Sequence, residues 1–267
     1  MSQLAGQRIL LVNDDGYDAP GIRLLEQVVS AVCDDVWVVA PDEERSGAAH
    51  SISLSVPVRV SERAPKRFAI KGTPTDCVLL ARYELMREHP PTLVLSGINR
   101  GTNLGEDVTY SGTTSAALEA ALMGLPAVAL SQVFTFGQQP RWATAERYTL
   151  AVLEQLLAQS WRPGLYLNVN FPDRAPEDVA GIQVACQGQR PPGAFRPERG
   201  IDGRDAPYYW ICIHHPKGNN HPDTDLAAAD AGRISVTPLQ ADMTAWDSMD
   251  ACRVAFEDTA RGFEPGK

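Results

Sequence analysis

At 267 residues, 44% hydrophobic and 21% charged, the chain has ordinary globular composition and the length for one large domain or a domain with an appendage. Its formal charge of -9 works against binding to a nucleic-acid duplex, which needs Lys and Arg to displace counterions; a small anionic substrate stays open only where a cation sits in the pocket. The start, MSQLAGQRILLV, lacks a signal-like apolar run and no stretch of ~18 apolar residues follows, so a soluble, cytoplasmic protein without a membrane partner is expected.

Arg8 to Asn13 reads as a strand, and Ile22, Leu25, Val28, Val29 and Val32 then recur at helical spacing behind Pro20, a first-turn residue. Val36 to Ala40 is a short continuous apolar run, as in a strand covered on both faces. Strand, helix, strand implies a right-handed parallel crossover. PDEERSGAAHS is polar and turn-rich, and SISLSVPVRV alternates like a half-exposed strand. After GTPT, Val78, Leu79, Ala81, Leu85 and Met86 predict an amphipathic helix, and Thr92 to Ser96 another buried strand. The polar stretch GINRGTNLGEDVTYSG is expected to be a loop, TTSAALEAALMG a helix and PAVALS a strand. By Ser131 the alternation specifies a doubly wound, Rossmann-like α/β fold with a mostly parallel sheet. Arg141 to Gln159 reads as a further helix and LYLNVNF as a further strand. From Pro172 the chain is rich in Pro, Gly and charge, with short strands at IQVA, YYWICI and RISVTP. Residues 1–171 are therefore expected to form the α/β core with the site, and 172–267 a less regular antiparallel extension suited to subunit contacts.

In an open parallel sheet ligands bind beyond the carboxyl ends of the strands. Four polar segments fall there: NDDG, PDEERSG, SGINRGTN and YSGTTS. The adjacent Asp14 and Asp15 repel one another unless something compensates. One reading is a helix-start turn, capped by Asp15 or Asp18 with Gly16 at positive φ. The other is a hard divalent cation, which takes oxygen ligands and neutralises both charges. Ser46 and Asn99 supply neutral oxygen donors on neighbouring strand ends, completing a set suited to Mg²⁺ or Mn²⁺ rather than structural zinc; Ca²⁺ differs from these only in geometry. Ser111, Gly112 and Thr113 stand at a helix N-terminus, where unpaired N–H groups and a partial positive charge favour a phosphate. Asn103 is placed to donate an amide hydrogen to the same group.

Other groups say less. Cys33, Cys77, Cys186, Cys212 and Cys252 are odd in number and form no C-x-x-C, which argues against disulfides and thiolate zinc and predicts buried apolar thiols. Asp42, Glu43, Glu44 and Arg45 read as a solvated face, with Arg45 able to approach an anion. His50 is weighed as a proton donor against a structural role, and the latter is preferred. His214, His215 and His221 read as part of a mobile loop. No nucleophile elbow, Walker loop or dinucleotide fingerprint follows any strand.

With these residues in place, the chain resembles the SurE survival-protein family of metal-dependent 5'-nucleotidases. The resemblance lies in ILLVNDDGYDAPGI, VVAPDEERSGAAHSISL, GTPTDCV, LVLSGINRGTNLGEDVTYSGTTSAALEA and, near the C-terminus, YYWI and DTDLAAADAGRISVTPL, which span nearly the whole chain in order. It implies one divalent ion on Asp14, Asp15, Ser46 and Asn99, with Asp14, Asp15 and Asn99 as the catalytic centre. It implies a substrate phosphate on Asn103, Ser111, Gly112 and Thr113, and a homodimer or homotetramer built by exchange of C-terminal elements. The expected activity is hydrolysis of nucleoside 5'-monophosphates, with 3'-nucleotides and short polyphosphate as further substrates of some members. Direct attack by an activated water is expected rather than a phospho-aspartyl intermediate, since a metal-bound carboxylate beside another is a poor nucleophile. Tyr17-Asp18 after NDDG and the HHPKGNNHP loop depart from the family pattern and leave base preference open. The alternatives are a signalling receiver, disfavoured because TLVLS ends in Ser96 rather than an aspartate, and a nucleotide-binding regulatory module without turnover.

Overall fold

A computed structural model describes residues 2–158, 160–214, 218 and 220–257. The first strand, β1 (Ile9–Val12), is inaccessible to solvent at every residue. It leads through a turn into α1 (Pro20–Ser30) and then β2 (Val36–Pro41), and β1 and β2 pair in parallel. Next come β3 (Arg59–Ala64), β4 (Arg67–Lys71), α2 (Pro74–Leu80), β5 (Leu93–Arg100), α3 (Gly112–Leu122), β6 (Ala127–Gln132), α4 (Trp142–Leu157) and β7 (Leu165–Phe171). The last part contributes β8 (Ile182–Val184), β9 (Phe195–Ile201), β10 (Pro207–Ile213), α5 (Asp225–Asp230), β11 (Ile234–Gln240) and α6 (Met249–Glu257).

The nine-stranded sheet runs β3-β4-β2-β1-β5-β6-β7-β11-β8. From β4 through β7 all neighbours are parallel, while β3 pairs antiparallel with β4 and β11 antiparallel with β7. Alternation along β1 builds both cores: Ile9 and Leu11 pack with Ile22, Leu25 and Val29 of α1 and Ala145, Val152 and Leu153 of α4. Leu10 and Val12 face the opposite way, towards Cys77 and Val78 of α2 and Ala116, Ala117 and Ala120 of α3. Each fully buried aliphatic side chain contributes on the order of 1.5–3 kcal/mol. The alanines of α3 let that helix lie close against the sheet.

The doubly wound α/β reading agrees with this architecture. Two local expectations are corrected. Residues 51–58 do not form a strand, and β3 starts only at Arg59. Pro57 has no N–H for a ladder, Ser53 N–H is taken by Asp76 Oδ1 at 3.0 Å, and Ser51 carbonyl accepts from Thr73 Oγ1 at 2.8 Å. The GTPT segment is a capping box, with Thr73 and Asp76 each bonding the other's backbone N–H. Conversely, Gly97–Arg100, read as loop, continues β5, pairing with Ser131 and Gln132 after a register shift.

Within the C-terminal part, β11 and β8 extend the main sheet, and β9 and β10 form a separate hairpin. That hairpin displays Tyr209 at 60%, Trp210 at 67% and Ile211 at 66% exposure. Cys33 and Cys77 are buried as expected, but Cys186 and Cys252 are exposed and Cys212 half-buried, all three in the C-terminal part.

Candidate active site

The strand order places β1 between β2, which follows it, and β5, so the winding reverses at β1 and β5. A crevice at the carboxyl end of such a reversal is where doubly wound sheets bind ligands. Val12 pairs with Ser96, so the NDDG turn leaves β1 beside the tip of β5.

The helix-start reading of NDDG fails at its cap. The N-cap of α1 is Ala19 with no side-chain hydrogen bond, although Gly16 does take a positive φ of 102°. Asp15 instead accepts the Arg100 N–H at 2.8 Å. Asp14, only 4% exposed, receives the Thr113 hydroxyl. The backbone amides of Thr113 and Gly112 also act on its carboxylate. The N-terminus of α3 thus faces Asp14, and glycine at 112 permits the approach: a Cβ there would lie 2.7 Å from Asp14 Cβ and 3.0 Å from its Oδ2.

Burial raises the Asp14 pKa from the usual carboxylate range, against the opposing pull of Thr113 and the helix amides. Asp15 is pushed up to about 7, by burial first and then by the Asp14 charge, with the Arg100 N–H opposing. Among the described residues neither carboxylate forms an ion pair, while nearby Arg45 is paired to Glu43 at 2.7 Å. The Asn13 side-chain oxygen is buried and without a hydrogen-bond partner. Two adjacent carboxylates held by hydrogen bonds but by no ion pair among the described residues, beside neutral oxygen donors, fit a hard divalent ion.

The other sequence-selected site residues lie at the end of β5 and in the segments that follow β2 and β5. Ser46 lines the same cleft as Asp15 and donates to Glu44 at 2.9 Å. Asn99 stands at the end of β5, its amide donating to the Gly101 carbonyl at 3.3 Å. Ser111 is the N-cap of α3, accepting from Thr114 N–H at 3.1 Å. Asn103 is 4% exposed and donates its side-chain amide to Ser131 Oγ at 2.8 Å. His50 bonds Glu119 of α3 at 2.8 Å, tying the 42–50 loop to that helix. His214 and His221 lie on the surface, and His215 falls outside the described residues.

Sequence reasoning missed the residues that hold these loops. Asn103 N–H bonds Asn170 Oδ1 at 2.9 Å, and its carbonyl accepts from Asn168 at 2.7 Å. Asp225 accepts from the N–H groups of Gly105 and Gly188, both at 2.8 Å, and buried Arg190 pairs with Glu106 and Asp107. The available signal was amides inside the otherwise apolar LYLNVNF.

The family model for the survival protein SurE matches residues 9–193. The chain belongs to the SurE family. Proteins named 5'-nucleotidase SurE from Parvibaculum lavamentivorans and Azorhizobium caulinodans are each 46% identical to it, over 89% and 94% of this chain and 86% and 99% of theirs. A crystal structure of the SurE protein from Aquifex aeolicus superposes with a TM-score of 0.79 at 36% identity, covering 93% of this chain and 99% of that one. The SurE family match includes the Asp14-Asp15 turn, Ser46, Asn99 and the start of α3, so the cleft described above lies wholly within it.

Proposed function

We propose that this protein is a divalent-metal-dependent phosphomonoesterase that hydrolyses nucleoside 5'-monophosphates, with 3'-nucleotides and short polyphosphate as secondary substrates. The observation that carries the reading is the adjacent pair of buried Asp14 and half-buried Asp15 at the winding reversal, in no ion pair among the described residues and adjoining a helix N-terminus. The 5'-nucleotidase name borne by relatives 46% identical to it over the aligned residues supports the same class of hydrolase.

Asp14, Asp15, Ser46 and Asn99 would hold Mg²⁺ or Mn²⁺. When bound, the ion supplies positive charge against the phosphoryl oxygens and lowers the pKa of the attacking water. Asp15 is oriented by the Arg100 amide and Asp14 by Thr113. Ser111, Gly112, Thr113 and Asn103 would receive the phosphate, the helix start offering partial positive charge to oxygens that gain negative charge in the transition state. Asn99 would serve through its side-chain oxygen, its amide nitrogen being bonded to the Gly101 carbonyl.

The exposed aromatic face of the β9-β10 hairpin supports self-association into a dimer or tetramer, to be read by sedimentation. No helix among the described residues is long and apolar enough to cross a membrane, and the free thiols support a reducing, cytoplasmic location.

Phosphate release from a panel of nucleoside monophosphates with added Mn²⁺ or Mg²⁺ tests the proposal. Asp14→Asn and Asp15→Asn should abolish turnover while keeping the fold, and a chelator should do the same to the wild type. Binding of nucleotides without any release would leave only a regulatory module.

A further inference from the structure

Beside Asp15 the surface opens into a bay of ≈ 330 Å³ whose walls include Ser46, Arg100, Phe134, Phe136 and Trp142. Two of the proposed metal ligands, Asp15 and Ser46, therefore form one wall of a space whose other wall is aromatic. Phe136 is 98% exposed on the segment between β6 and α4. Arg100 joins the two walls: its backbone N–H donates to Asp15 at 2.8 Å, and its guanidinium lies 5.3 Å from the Phe134 ring centroid.

We propose that this bay is the subsite for the nucleobase of the substrate, with Phe134 and Phe136 as stacking surfaces and Arg100 fixing the distance between base and reacting phosphate. A single exposed phenylalanine needs no explanation, but three aromatic side chains around one cavity next to paired carboxylates form the mixed apolar and polar lining of a ligand pocket. The occupant follows from shape and charge. Asp15 and Glu44 both line the bay against one cation, Arg100, which disfavours a second phosphate there. A flat, uncharged π-system is what aromatic faces take up, and stacking accepts any base. The inference deepens the phosphatase reading and rests on it for the position of the phosphate, yet it makes a claim about base binding that can be measured without turnover.

The test compares AMP with ribose 5-phosphate, the same phosphate ester without a base, in the wild type, Phe136→Ala and Phe134→Leu. It adds ligand-observed NMR with adenosine, which carries no phosphate. Phe136 is almost wholly exposed, so its truncation leaves the fold intact. The wild type should prefer AMP, and each variant should lose about tenfold of that preference, mainly through KM, with adenosine affinity falling in parallel. Adenosine binding that depends on Phe136, in a protein that releases no phosphate from any ester, would uphold the subsite and overturn the phosphatase reading. Phosphate release with an unchanged AMP preference and adenosine affinity in both variants would overturn the subsite alone, as would equal losses on AMP and ribose 5-phosphate.

Discussion

Thr113 at the first turn of α3 donates its hydroxyl to Oδ1 of Asp14, across 99 residues of sequence. A helix start expected to wait for phosphate also serves the first carboxylate of the acidic pair. Charge-assisted hydrogen bonds of this kind hold a metal-binding oxygen in one orientation and lower its proton affinity.

Thr113→Val removes that bond while keeping the side-chain shape. The expected outcome is a loss of metal affinity by about 10–100-fold, with activity recovered in part at saturating Mn²⁺. Calorimetric Mn²⁺ titration measures it directly, and an unchanged affinity would separate Thr113 from the metal.

Gly112→Ala should be more damaging than an alanine in a helix usually is. Its Cβ would sit 2.7 Å from Asp14 Cβ and 3.0 Å from Pro74 Cγ, so helix and acidic turn must move apart. Overpacking of this size costs about 1–3 kcal/mol. Thermal melts should show that loss together with a collapse of kcat.

Without divalent ions, Asp15 sets a pH dependence of stability. Its folded pKa of about 7 lies above the ordinary 3.8. The folded state therefore binds the proton more tightly than the unfolded chain does, and stability falls as pH rises from the unfolded value through about 7. A divalent ion competes with that proton. The rise in melting temperature on adding Mg²⁺ or Mn²⁺ should be larger at pH 8 than at pH 5.5, and Asp15→Asn should flatten the ion-free profile. Equal shifts at both pH values would contradict the assignment.

Asp225→Asn tests the strap on the loop that carries Asn103. Its two oxygens accept from Gly105, Gly188 and Leu226 N–H groups, each at 2.8 Å, and an amide would turn a donor towards at least one of them. A buried mismatch costs about 1–3 kcal/mol, or roughly 2–4 °C per kcal/mol for a domain of this size. The melt should drop accordingly, and KM for nucleotide should rise because Gly105 lies two residues after Asn103, a proposed phosphate ligand.

Much of this was legible in the chain itself. Apolar runs such as Ile9–Val12 and Leu93–Leu95 are buried on both faces, so composition alone marks them as inner strands, and the polar turns after them mark the ligand end. Less visible were features decided by tertiary partners. SISLSVPVRV has the alternation of a strand, but Asp76 and Thr73 compete for its backbone through bonds that no local pattern announces. Gly97–Arg100 is polar and glycine-bearing, yet β6 recruits it as strand. In the site, residue types pointed to the acidic pair and the helix start, whereas the pairing of Thr113 with Asp14 and of Arg100 with Asp15 depends on distances set by the sheet.

The sheet's closing edge comes from β11 and β8, and the loop behind Asn103 is fastened by Asp225. During synthesis the acidic turn leaves the ribosome first, while its last fastening waits for some two hundred further residues. A chain arrested after β7 would carry every ligand proposed here and still lack the Asp225 brace on the loop behind Asn103. A stop after β7 is therefore expected to remove the Asp225 brace and the β11-β8 edge of the sheet together.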